Sequence, residues 1–111
     1  KSLGDNQSYL LPVNKKSYGE NIYWVYGILL KNSKISVRKL MSLLKKKGIE
    51  TRNFFWPLHQ QPILKRMGYF KNVKLPVAEY LGKNGLYLPT GLSLKASQQN
   101  YVIKELKKIL K

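Results

Sequence analysis

The 111-residue chain predicts an α+β fold, a small three-stranded, largely antiparallel sheet with helices packed on one face. Three observations lead there. The length suits one core and is short for two. The 43% hydrophobic content is that of a globular protein, which argues against disorder despite the high charge. Short runs rich in β-branched and aromatic residues also alternate with stretches that repeat apolar residues at helical spacing.

Residues 1–20 are polar apart from Tyr9 to Val13 and read as an extended lead-in from a preceding element. Ile22 to Lys31 (IYWVYGILLK) is a strand with apolar groups on both faces, so it is expected to be covered on each side, with Trp24 and Tyr26 in the core. Ser36 can cap a helix whose buried stripe is Val37, Leu40, Met41 and Leu44. Lys45, Lys46 and Lys47 fall in its last turn, where cations oppose the negative end of the helix dipole, and Gly48 ends it.

Ile49 to Trp56 (IETRNFFW) is a second strand, stopped by Pro57. A loop, Pro57 to Pro62, leads to a short helical turn over Ile63 to Gly68. Pro76 opens a helix with Val77, Ala78, Tyr80 and Leu81 on its apolar side and Gly82 or Gly85 at its end. Leu86 to Pro89 is the third strand. The last helix, about Lys95 to Leu110, buries Val102, Ile103, Leu106, Ile109 and Leu110.

Composition removes several function classes. Without cysteine there is no disulfide framework and no thiolate metal site, and the single histidine, His59, excludes a multi-histidine one. No apolar run approaches the roughly 18 residues that span a bilayer, and no secretory signal is visible. The start, which lacks Met, reads as part of a longer protein or a processed one. The net charge of +16 raises nucleic acid or an anionic membrane as partners. The basic residues are nearly all lysine, with Arg38, Arg52 and Arg66 the only arginines, and they are spread along the chain, whereas phosphate and base readers favour the guanidinium fork. A general lysine enrichment and a true anion-binding face both account for this; a small nucleic-acid-binding module therefore stays as the competing reading, and it requires affinity that falls steeply with salt.

Three stretches, in order, cover nearly the whole chain: Tyr23 to Ile28 (YWVYGI), Gly48 to Pro62 (GIETRNFFWPLHQQP), and Pro76 to Glu79 (PVAE) with Gly85 to Pro89 (GLYLP) and Gln99 to Leu106 (QNYVIKEL). Together they resemble the C-terminal region of the DegT/DnrJ/EryC1/StrS aminotransferases, within which the GDP-perosamine synthase group is nearest. The resemblance implies that residues 1–111 are the C-terminal small domain of a fold-type-I, cytoplasmic, homodimeric enzyme of surface-polysaccharide (O-antigen) synthesis. Such an enzyme moves an amino group from glutamate to a 4-keto-6-deoxy sugar nucleotide, with pyridoxal phosphate as electron sink. It further implies a missing large domain that carries the cofactor lysine, a fragment inactive alone, and neither nucleic acid nor membrane as partner. A degenerate relative kept for assembly or regulation is a third reading.

On the matching segment, the resemblance makes Arg52, Phe55, Trp56 and His59 the candidate substrate-binding residues, with no catalytic, cofactor-binding or metal residue assigned. Arg52 offers a guanidinium for an anionic group, against a structural ion pair with Glu50. Of Phe54 and Phe55, which alternate, one is core and the other a wall for sugar or base. Trp56 can stack on a sugar face or pack in the core. His59 can hydrogen-bond a hydroxyl or phosphate, or be structural. Two residues depart from the family pattern: Asn53, where proline is common, and Lys95, where a Ser or Thr usually caps the last helix. Lysine cannot accept from backbone N–H groups, so Ser93 or Ser97 is expected to take over.

Overall fold

The computed structural model describes residues 3–4 and 7–111. Four strands form one antiparallel sheet: β1 (Tyr9–Leu10), β4 (Tyr26–Leu30), β6 (Gly85–Leu88) and β5 (Arg52–Asn53), in that order across it. Two more, β2 (Lys15–Lys16) and β3 (Gly19–Glu20), make a separate hairpin. Four helices complete the fold: α1 (Val37–Lys45), α2 (Pro62–Arg66), α3 (Pro76–Asn84) and α4 (Ala96–Ile109). The α+β architecture with an antiparallel sheet holds, but the expected count of three strands is corrected to four plus a hairpin. The extra strands come from the segment read as lead-in. Tyr9, 1% exposed, pairs with Leu30 and donates its hydroxyl proton to the Leu3 carbonyl at 2.8 Å.

The pleat sorts the central strands into two faces. Ile28 and Leu30 of β4 and Leu86 and Leu88 of β6 point to the side covered by α1 and α4. There they meet Val37, Leu40 and Leu44 from α1 and Val102, Leu106 and Leu110 from the last helix. Local chemistry sets α1 as expected. Ser36 Oγ accepts from the Lys39 N–H at 3.3 Å at its start. At its end Gly48, at φ +72°, lets its N–H reach the Lys45 carbonyl and the Ile49 N–H reach the Leu44 carbonyl, the paired bonds of a Schellman stop. Ile49 and Leu44, both buried, add the hydrophobic contact that accompanies it.

On the opposite face stand Gly27, paired with Tyr87, and Gly85, paired with Leu29. Phe54 lies in the space their missing side chains leave. A methyl group at Gly27 would sit 2.8 Å from the Phe54 ring, and one at Gly85 would collide with it. The ring stacks on Tyr87 with centroids 4.6 Å apart. Pro57 is seated in the same way against Gly82 of α3, where a Cβ would lie 2.8 Å from Pro57 Cδ.

Several expected boundaries move. The strand expected from Ile22 to Lys31 pairs only over Tyr26–Leu30, because Tyr23 turns at φ 51°. The strand expected from Ile49 to Trp56 pairs over Arg52–Asn53, with one further bond from the Phe54 N–H to the Gly85 carbonyl. Helix α3 passes through Gly82 and ends at Gly85; its apolar residues Val77, Tyr80 and Leu81 are exposed. At the start of α4 neither Ser93 nor Ser97 caps. Gln98 Oε1 instead accepts from the Lys95 N–H at 2.9 Å, the return half of a capping box. Glu105 is buried on α4, where Lys108 at 2.9 Å and Lys47 at 4.0 Å hold it; the hydrogen bond from Lys108 keeps its carboxyl below the usual range in spite of burial.

Candidate functional site

A groove of about 800 Å³ wraps the β5 edge of the sheet. The register Tyr26↔Leu88 lays the start of β4 beside the end of β6, so Trp24 and Thr90 close one end. Helix α1 supplies Met41 and Lys45, and the segment around β5 supplies Glu50, Arg52 and Phe55.

Arg52 is exposed and, among the described residues, forms no ion pair with Glu50 or any other carboxylate. Its guanidinium is available to a ligand. Phe54 and Phe55 divide as the alternation requires. Phe54 is seated on the glycines, while Phe55 is 74% exposed, touches Tyr87 edge-on with centroids 5.7 Å apart, and forms a groove wall.

Trp56 is half exposed and lies off the groove; its carbonyl accepts from the Gln61 side-chain amide at 3.2 Å. His59 falls in a single 3-10 turn, Leu58–Gln60, and is 5% exposed. Its Nε2 lies 2.9 Å from Glu79 Oε1. An ionised carboxylate only accepts, so Nε2 carries the proton and donates. The same Oε1 accepts from the Leu75 N–H at 3.0 Å, closing the first turn of α3. These two bonds, the His59 one first, hold the Glu79 carboxyl below its usual range. His59 thus ties the 57–62 loop to α3. The structure brings Arg52 and Phe55 together on the groove and sets Trp56 and His59 on the stretch that follows.

Trp24 was expected in the core. It is instead 75% exposed on the groove, because the positive φ of Tyr23 interrupts the strand alternation that would have turned it inward. Lys45 is a second residue missed, since its place in the last turn of α1 gave a sufficient structural reason for a cation. No grouping of His, Cys, Asp and Glu among the described residues could hold a metal ion. No described helix is long and apolar enough to cross a membrane.

A sequence profile of the DegT/DnrJ/EryC1/StrS aminotransferase family matches residues 1–107. The chain belongs to this family. Over 98 residues it is 35% identical to a GDP-perosamine synthase of Escherichia coli O157:H7, covering 87% of this chain and 26% of that protein. Over 69 residues it is 41% identical to a pleiotropic regulatory protein of Geobacillus stearothermophilus, covering 61% of this chain and 18% of that one. Among solved structures, the aminotransferase TlmJ of Streptoalloteichus hindustanus superposes with a TM-score of 0.82 at 23% identity, covering 98% of this chain and 28% of that one. The PLP form of a putative sugar aminotransferase of Streptococcus pneumoniae, Spr1654, superposes with a TM-score of 0.80 at 20% identity, covering 92% and 26%. The chain spans about a quarter of the length of these proteins.

Pyridoxal phosphate needs a lysine that forms an imine, kept poorly solvated beside the ring. Every described lysine is exposed. Lys45 and Arg52 suit an anion, but the described residues do not by themselves form a pyridoxal phosphate cradle.

Proposed function

We propose that residues 1–111 are the C-terminal, substrate-covering domain of a pyridoxal-phosphate-dependent aminotransferase. In this reading the enzyme moves an amino group from glutamate to a 4-keto-6-deoxy sugar nucleotide, as a cytoplasmic homodimer feeding surface-polysaccharide synthesis. Family membership over residues 1–107 is the observation that carries it. The 35% identity to a GDP-perosamine synthase supports the substrate class. The coenzyme and its lysine then belong to the part of the relatives that this chain does not span, and the chain alone is inactive.

Within this reading Arg52 takes an anionic group of the substrate and Phe55 walls the sugar or base. Trp56 contacts the substrate from the adjoining stretch, and His59 serves the site by fixing that stretch to Glu79. The test is transfer from glutamate to GDP-4-keto-6-deoxymannose, assayed with the 111-residue chain and with the longer protein that contains it. Transfer by the longer protein and none by the chain are expected; no transfer by the longer protein overturns the reading. The 41% identity to a pleiotropic regulatory protein favours a second reading, a relative kept for regulation. That reading predicts a longer protein without transfer activity.

A further inference from the structure

Trp24 has no explanation in the fold. It is three-quarters exposed, yet its presentation is built by strain. Tyr23, just before it, holds φ 51°, a conformation that costs an aromatic residue of order 1 kcal/mol or more. Three contacts fasten Tyr23 there. Its N–H donates to Asn21 Oδ1 at 2.7 Å, its hydroxyl donates to Asn14 Oδ1 at 2.9 Å, and its ring stacks on Tyr26 with centroids 5.7 Å apart. A chain that needed only to continue β4 outward would have no use for this turn. Its effect is to set an indole on the groove that Phe55, Lys45 and Arg52 also line.

We infer that the groove is a nucleoside diphosphate site, in which Trp24 stacks on the base and Lys45 and Arg52 take the diphosphate. Two exposed aromatic walls are what a flat heterocycle needs, and two cations are what a diphosphate needs. Glu50, the one carboxylate on the groove, supplies an acceptor for ribose hydroxyl or base N–H donors. The groove, at about 800 Å³, is large enough for such a ligand. This rests on the sugar-nucleotide reading and sharpens it, because it separates the residues that hold the nucleotide from those that face the sugar.

The test is titration of the 111-residue chain with GDP, guanosine and inorganic pyrophosphate, followed by calorimetry and by the indole N–H resonances. GDP is expected to move the Trp24 indole resonance. Stacking of a base on an aromatic ring is worth roughly tenfold or more in affinity. Trp24→Ala is therefore expected to weaken GDP and guanosine by about tenfold and leave pyrophosphate unchanged. Lys45→Ala with Arg52→Ala should abolish pyrophosphate binding and spare guanosine. Tyr18→Ala, on the remote hairpin, is the control and should match the parent chain. Absence of GDP binding, or binding that Trp24→Ala changes by less than twofold, overturns the inference. Failure here with transfer activity intact in the longer protein leaves the aminotransferase reading standing; loss of transfer activity with GDP bound through Trp24 does the reverse.

Discussion

The two sides of the sheet are built to different ends. On the side of α1 and α4, the side chains of Ile28, Leu40, Leu44, Leu86 and Leu106 are fully or almost fully buried. The charged residue drawn in there, Glu105, is held by Lys108 and Lys47. On the other side and around the β5 edge, Trp24, Phe55, Trp56, Leu58, Val77 and Tyr80 stay exposed. A monomer that needed only to be stable would not leave so many large apolar groups in water. The first side makes the domain; the second presents surface to something else.

The comparison can be broken by substitution, and the largest effect is expected in the core. Leu106→Ala removes a fully buried side chain and should cost about 2–5 kcal/mol of unfolding free energy, read by urea denaturation. A loss under about 1 kcal/mol would mean that α4 is not part of a packed core. Next comes Gly85→Ala, whose added methyl collides with Phe54. Overpacking of this kind costs about 1–3 kcal/mol, and the displaced ring would carry the 54–57 stretch with it. The variant is expected to lower Tm and to weaken substrate binding together, which ties the inner aromatic to the outer site.

A pH effect of smaller size separates the His59 contact from both. Bonds from His59 and the Leu75 N–H lower the Glu79 carboxyl in the folded state. A depressed carboxylate stabilises the fold above its unfolded value, near 4.5, and that contribution is lost as pH falls through the lower folded value. Unfolding measured from pH 6 to pH 2 should therefore show stability falling below about pH 4.5, with a shallower fall in Glu79→Gln. An identical slope in the variant would remove Glu79 as a contributor. Glu105, lowered by Lys108, is expected to keep part of the slope in that variant.

What could be read in advance followed the range of the signal. Helix α1 was legible because its cap, its stripe and its stop all lie within thirteen residues, from Ser36 to Gly48. Strand β6 was legible as a short apolar run before Pro89. Strand β1 was not, because two residues carry no period and Tyr9 is placed by its partner Leu30. Residues 22–31 misled because period-2 reading assumes an unbroken extension, and a positive φ at Tyr23 resets which face Trp24 takes. At the site, the resemblance pointed to the stretch holding Arg52 and Phe55. Nothing local announced that His59 would be engaged by Glu79, twenty residues on. The Gln98 cap was hidden because the residue it serves is a lysine.

The account's central claim is that the groove face serves a ligand and not the fold. Phe55→Ala tests it most directly, with unfolding free energy and KM for the sugar nucleotide measured on the same preparation of the longer protein. The account predicts stability within about 0.5 kcal/mol of the parent and a KM raised roughly tenfold, as expected for a lost stacking wall. A large loss of stability with KM unchanged would contradict it.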